Sequence, residues 1–344
     1  MNNINGFLNL GNTCYLNSTL QLLFSVQELK TYFISKNFLE ELNSNLRKID
    51  FKKDNKVKNN IQFIQNYFSL INDYHSNQNK ILTPKKLLVS IQNMYSDFKG
   101  YNQHDSQEML LIILDLIHEN LKYDVEVNYQ GKAKNNTDLL VIESINALSK
   151  ILDYKYSMVN ELFYGMYYYQ YNSIEDDSTG KLISKKFEHF NNLTLEFEGN
   201  NLIENLDIFF KNEVLDSKLH HDETNKKYKV TKDIKIVNSP KYLFITLKKY
   251  NNTNKKNNNN YTFPIYNLDF SKYCLGYDNY QCTYDLQGAI CHKGNLDYGH
   301  YYTIINHNSW HLINDENVSN FNIEKNKHQL FNDAYVLLYV KNKN

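Results

Sequence analysis

Residues Asn9-Leu10-Gly11-Asn12-Thr13-Cys14-Tyr15-Leu16-Asn17-Ser18-Thr19-Leu20-Gln21 constrain this chain more than any other stretch. A polar turn containing Gly11 runs into Cys14. The apolar residues Leu16, Leu20, Leu23 and Phe24 then recur at helical spacing. This puts Cys14 at or just before a helix N-terminus, where the helix dipole favours thiolate over thiol. A lone cysteine ahead of an apolar run is usually a buried core residue. Here Gly11 permits a tight backbone, and Asn9 and Asn12 set amide groups close to the sulfur. A nucleophile needs a base, which has to come from elsewhere in the chain.

The second dense motif supplies a candidate. It reads His292-Lys293-Gly294, then Gly299-His300-Tyr301-Tyr302, then Trp310-His311-Leu312-Ile313-Asn314-Asp315. Gly299 allows close backbone approach just before a histidine that opens a strand. A short turn at His307 to Ser309 returns the chain as an antiparallel hairpin, which can bring Asn314 beside His300. Asn314 would then hold the ring through Nδ1–H and leave Nε2 facing a thiol. The chain has eleven histidines, so His300 alone says little. Its weight comes from matching contexts at Cys14, Asn9 and Asn314.

The remaining pattern is helices first and sheet second. Lys52 to Asn60 reads as a solvated connection, Ile61 to Leu70 as helix, and Thr83-Pro84 as a helix start with Thr83 at the N-cap. Asp105 followed by Glu108 resembles a capping box ahead of a broad apolar face from Met109 to Leu121, a helix that must be central. Leu139 to Leu152 is a further helix. From Phe163 the chain turns to β-branched and aromatic runs at 167–171, 193–197, 242–247, 284–290, 301–305 and 334–340. Asn251 to Asn260 is a low-complexity surface loop. The boundary between the two regimes lies near residue 125, and no internal repeat is present.

Composition excludes several classes. A formal net charge of zero does not suit a broad nucleic-acid or anionic-membrane surface, and Arg47 is the one arginine in the chain. The four cysteines Cys14, Cys274, Cys282 and Cys291 form no C-x-x-C and no disulfide framework, which fits a reducing compartment. The N-terminus lacks the blocks of a signal peptide, and no run reaches membrane-span length. A soluble intracellular protein of the cytoplasm or nucleus is expected.

The motifs together resemble the ubiquitin-specific proteases. Gly6 to Gln21 is similar to that family's cysteine box, Gln103-His104-Asp105-Ser106-Gln107-Glu108-Met109 to its second box, and His292 through Asp315 with Ala334 to Tyr339 to its histidine box and last strand. Leu243 to Tyr250 resembles the strand that usually ends in Lys-Arg-Phe. The matches run from residue 6 to residue 340 in order. The resemblance implies an α+β, papain-like cysteine protease fold: a helical thumb over residues 1–124, with β fingers and an antiparallel palm over 125–344, all one catalytic domain.

By position, the resemblance makes Cys14 the nucleophile, His300 the base, Asn314 the third member, Asn9 the oxyanion donor and Asp315 an assisting polar neighbour. Asp105 and Glu108 match the positions that hold the arginine-bearing ubiquitin tail. Tyr15 and Tyr301 would wall the narrow channel for its paired glycines, and Gln103 and Gly299 are further substrate-binding positions. The implied partners are ubiquitin and ubiquitinated proteins, met by a monomer with no nucleic acid and no membrane. Many members bind zinc through two C-x-x-C pairs at the fingers tip. Neither pair is present near Tyr169 to Ser173 or near His220 to Tyr228, where only His220, His221 and Asp222 offer ligands. No metal and no cofactor are expected, and the tip is read as held by aromatic packing. Two other readings share the scaffold: a catalytically silent ubiquitin-binding module, against which Cys14 and His300 weigh, and a protease for a ubiquitin-like modifier.

Overall fold

A helix that is apolar on most of its circumference has to be surrounded by protein. Two helices meet that condition. In the computed structural model, which describes residues 4–47, 55–76, 80–175, 178–221, 224–249, 261–295 and 298–343, they are α1 (Cys14–Phe24) and α6 (Ser106–Leu121). Every residue of α1 is buried. Its polar side chains are therefore spent on hydrogen bonds. Gln21 Nε2 donates to the Asn5 carbonyl at 2.7 Å while its Oε1 accepts from Tyr74 Oη at 2.6 Å, and Thr19 Oγ1 donates to the Tyr15 carbonyl at 2.8 Å. Around this pair lie α2 (Gln27–Ile34), α3 (Phe38–Arg47), α4 (Asn55–Ser76) and α5 (Lys85–Met94).

Two boundaries depart from the sequence expectation. The sequence pattern makes Lys52–Asn60 a connection, yet α4 begins at Asn55; residues 52–54 lie outside those described. Val57, Ile61 and Ile64 stand on one helical face, and that spacing outweighs the polar residues between them. α5 begins one residue late, with Pro84 rather than Thr83 at the cap and its carbonyl taking the Leu88 N–H at 2.9 Å. The low-complexity stretch Asn251–Asn260 also lies outside the described residues.

The remaining helices are α7 (Asn136–Ile151), α8 (Met158–Phe163), α9 (Leu202–Phe209) and α10 (Ile323–Asp333). The large sheet runs in the spatial order Asn317–Asn320, Trp310–Asn314, Gly299–Asn306, Thr283–Gly294, Ala334–Lys341, Tyr242–Lys248, Leu193–Glu196. It is antiparallel except at the last pair, which is parallel. Alternation along its strands builds two cores. Phe244, Ile290, Ile305, Val336 and Leu338 face the helices, whereas Leu243, Ile245, Ile304, Leu337 and Tyr339 face a second cluster that includes Leu202 and Leu206 of α9 and Leu330 of α10. Burial on both faces explains why these strands read as continuous apolar runs rather than alternating ones. α1 is wedged between α6 and the Gly299–Asn306 strand.

A smaller sheet orders Leu182–Phe190, Gly165–Ser173, Val230–Asn238 and Glu213–Val214, and the Leu219–His221/Lys226–Tyr228 hairpin stands beside it. Here Tyr228 packs with Ile183, Val230, Tyr171, Leu215 and Leu219. Both histidines are engaged within the hairpin: His220 Nε2 meets Asn225 Oδ1 at 2.8 Å and His221 Nδ1 meets Thr224 Oγ1 at 3.1 Å. Asp222 lies outside the described residues. Among the described residues, no three His, Cys, Asp or Glu side chains converge as metal ligands, and no helix is long and apolar enough to cross a membrane.

Candidate active site

The turn before α1 is built by one asparagine side chain. Asn9 Oδ1 accepts the Gly11 N–H at 3.0 Å and the Thr13 N–H at 3.2 Å, and Thr13 Oγ1 accepts the Leu10 N–H at 2.9 Å. Gly11 and Asn12 both have positive φ, +98° and +55°. Glycine and asparagine are the residues that enter this region readily, which explains their adjacency. The turn delivers Cys14 as the first residue of α1, buried, with its N–H among the donors that the helix itself leaves unpaired.

His300 sits one residue into its strand. Its Nε2 lies 2.6 Å from Asn314 Oδ1 and 3.8 Å from Asp315 Oδ2, and the Cys14 side chain is the neighbour that acts on the ring most strongly. With Nε2 on Asn314, Nδ1 is the nitrogen left for the sulfur. This reverses the orientation expected from sequence. Ile313 pairs with Thr303, so continuing the register sets Asn314 across from Tyr302 and diagonal to His300. Diagonal neighbours stand roughly 7–8 Å apart, a gap that the far end of the ring spans and the near end does not. The His300 pKa is raised from its ordinary 6.5 to about 9. The Cys14 side chain is the largest cause, opposed by burial and reinforced by Asn314 and by the charges of Cys14 and Asp315.

Asp315 is more central than its place beside Asn314 suggested. Its Oδ2 accepts from Asn9 Nδ2 at 2.8 Å and its Oδ1 from Asn17 Nδ2 at 2.7 Å. The next residue, Glu316, accepts the Asn9 N–H at 2.9 Å. Asn17 and Glu316 were not singled out from sequence. A carboxamide one turn after Cys14, on a helix with no exposed face, is the signal that could have found Asn17.

The other predicted residues divide. The Asp105 carboxylate caps α6 by accepting the Gln107 N–H at 2.7 Å and also accepts from Tyr335 Oη at 2.7 Å, while Glu108 is exposed on the first turn. The Tyr301 ring lies 6.1 Å from that of Tyr335 and 4.6 Å from His292. Gln103 clamps Gly299 at two points, accepting its N–H at 3.0 Å and donating to its carbonyl at 2.8 Å. Tyr15 is placed differently from the expectation. It is 2% exposed, its ring edge-on to His104 at 5.2 Å and near Phe98, so it backs the wall instead of lining it. Burial, with the charge of Cys14, pushes its hydroxyl up to about 12. The reason is local: Tyr15 is the second residue of a helix that has no solvent face.

Residues 5–339 match the family model described as ubiquitin carboxyl-terminal hydrolase. The Drosophila melanogaster ubiquitin carboxyl-terminal hydrolase Usp2 is 29% identical over 97% of this chain and 34% of its own length. Ubiquitin carboxyl-terminal hydrolase 2 of Bos taurus is 26% identical over 97% of this chain and 54% of its own. A probable ubiquitin carboxyl-terminal hydrolase of Acanthamoeba polyphaga mimivirus is 26% identical over 98% and 90%. The chain thus spans about a third to a half of the first two relatives. Among solved structures, the SAGA DUB module Ubp8/Sgf11/Sus1/Sgf73 bound to monoubiquitin superposes with a TM-score of 0.70 at 21% identity, covering 99% of this chain and 70% of that one, which shows the shared fold. With a family model covering nearly its whole length and a fold to match, the chain belongs to the ubiquitin carboxyl-terminal hydrolase family.

Proposed function

We propose that this chain is a thiol-dependent deubiquitinase that hydrolyses the peptide or isopeptide bond after the C-terminal glycine of ubiquitin. The observation that carries the reading is the His300 ring, held by Asn314 at 2.6 Å and influenced most strongly by Cys14, the first residue of α1. A raised His300 pKa supports a resting imidazolium, which is the proton donor that the leaving amine needs. The thiolate attacks the glycine carbonyl. The oxyanion is held by the Cys14 N–H and by the second hydrogen of Asn9 Nδ2, the first being given to Asp315. His300 gives its proton to the leaving lysine amine, then acts as base while water resolves the thioester.

Asp105 and Glu108 hold the basic ubiquitin tail, with Tyr301, Gln103 and Gly299 along its path. Relatives solved with ubiquitin bound support that partner. Four free cysteines support a reducing compartment, cytoplasmic or nuclear, and a monomer suffices for every residue named. Turnover of a ubiquitin–aminocoumarin conjugate tests the reading. The wild-type chain should release the fluorophore and Cys14→Ala should not, while still binding ubiquitin. Unchanged release by Cys14→Ala would sink it. A ubiquitin-like modifier carrying the same fluorophore, cleaved in preference, would replace the substrate and leave the chemistry.

A further inference from the structure

Beyond the Asn9–Thr13 turn lies a cleft that the mechanism does not use. It encloses about 350 Å³ and is lined, among others, by Leu10, Gly11, Thr13, Lys85, Val89 and Tyr101. Asp105, Glu108, Tyr301 and Tyr335 take no part in it, so it is separate from the wall assigned to the ubiquitin tail. Its lining is mixed, with two large apolar side chains left in solvent, Tyr101 75% and Val89 44% exposed, and Lys85 adds an exposed cation. Tyr101 is fixed to the turn that carries the nucleophile. Its carbonyl accepts from Asn12 Nδ2 at 2.7 Å, and its ring lies so close over Gly11 that a Cβ there would come within 2.9 Å.

We propose that this cleft receives the leaving-group side of the substrate, the segment of acceptor polypeptide around the modified lysine. Tyr101 and Val89 take an apolar side chain beside that lysine, and Lys85 takes a carboxylate. The inference rests on the deubiquitinase reading. Leu10, Gly11 and Thr13, which immediately precede Cys14, form a wall of the cleft, whereas Asp105 and Glu108, assigned to the tail, do not, so the cleft is the space beside Cys14 that the tail leaves to the acceptor. The volume lies at the low end for ligand sites. It suits one or two side chains of an extended segment and not a globular partner.

Four conjugates test this on the full chain: ubiquitin–aminocoumarin, whose leaving group carries no polypeptide; ubiquitin joined to a peptide lysine flanked by Leu and Glu; the same with Gly on both sides; and the same with Leu and Lys. Wild-type kcat/KM for the Leu/Glu conjugate should exceed that for the Gly conjugate about tenfold, the scale of burying one apolar side chain. The variant Lys85→Glu/Val89→Asp should lose the preference and keep its rate on ubiquitin–aminocoumarin, which also reports that it is folded. The single reversal Lys85→Glu should favour a Leu/Lys-flanked peptide over the Leu/Glu one. No wild-type preference, or an unchanged order in the variants, overturns the proposal. A wild-type chain inert on ubiquitin–aminocoumarin overturns instead the reading beneath it.

Discussion

The Asp315 carboxylate holds the Asn9 side chain at 2.8 Å, on the oxygen that also lies 3.8 Å from His300 Nε2. Its other oxygen takes Asn17 of α1 at 2.7 Å. One partly buried carboxylate therefore orients the amide assigned to the oxyanion and stands beside the assigned base. Asn9→Ala should lower kcat by about 10²–10³-fold, the usual scale for an oxyanion donor. Asp315→Ala should lower it through the same amide, so the double variant should be little worse than Asn9→Ala alone. Fully additive losses in kcat on ubiquitin–aminocoumarin would separate Asp315 from Asn9.

The raised His300 pKa gives a pH signature. Activity that needs the imidazolium should persist through neutral pH and fall as pH rises through about 9, instead of near the ordinary 6.5. Asn314→Ala removes one of the bonds that raise it, so the alkaline limb of kcat/KM should move to lower pH. The same group is linked to stability. Because the folded-state pKa lies above 6.5, the stabilisation is complete below 6.5 and is lost as pH rises through about 9. Thermal melts across that window should fall for the wild type. They should fall less for Cys14→Ala, which lacks the largest cause of the shift. Parallel melting curves for the two proteins would contradict the pairing.

Much of this arrangement is legible in the amino-acid sequence, and the failures have identifiable causes. Helical spacing after Cys14 puts a helix start there, and α1 begins at that residue. The doubly buried strands announce themselves as apolar runs. The start of α4 is hidden because lysine and asparagine signal solvation along a run that also carries a Val57–Ile61–Ile64 face. α10 is missed because its surface is polar and Leu330 is its one buried residue, although Asn322, whose Oδ1 takes the Lys325 N–H at 3.0 Å, is a cap that could have marked it. The His300 orientation and the Asn17–Asp315 bond depend on strand register and on a contact across most of the chain. Local pattern carries neither.

Lys249, which directly follows the strand Tyr242–Lys248, is 4% exposed. Its Nζ donates to the carbonyls of Phe331 at 3.0 Å and Asn332 at 2.9 Å in the last turn of α10. A cation at a helix C-terminus satisfies carbonyls that the helix leaves unpaired and complements the dipole. Lys249→Met keeps much of the volume and removes the donors, so urea unfolding should report a loss of about 1–3 kcal/mol. A loss within error would assign those carbonyls to water.

Gly299 is held on three sides. Gln103 occupies both of its backbone polar groups, and a Cβ on it would lie 1.9 Å from His292 Nε2. Its φ is not positive, so the need for glycine is one of space and not of backbone conformation. Gly299→Ala must push back either the imidazole of His292 or the strand that carries His300. A shift of about 1 Å at the reacting groups costs on the order of 10²-fold. That loss should appear in kcat on ubiquitin–aminocoumarin while the thermal midpoint changes little. Truncating the obstacle discriminates between the two routes. If the steric contact is the cause, Gly299→Ala/His292→Ala should recover most of the activity that Gly299→Ala loses. No recovery in the double variant would move the cause to the Gln103 clamp, whose own removal by Gln103→Ala should then reproduce the defect.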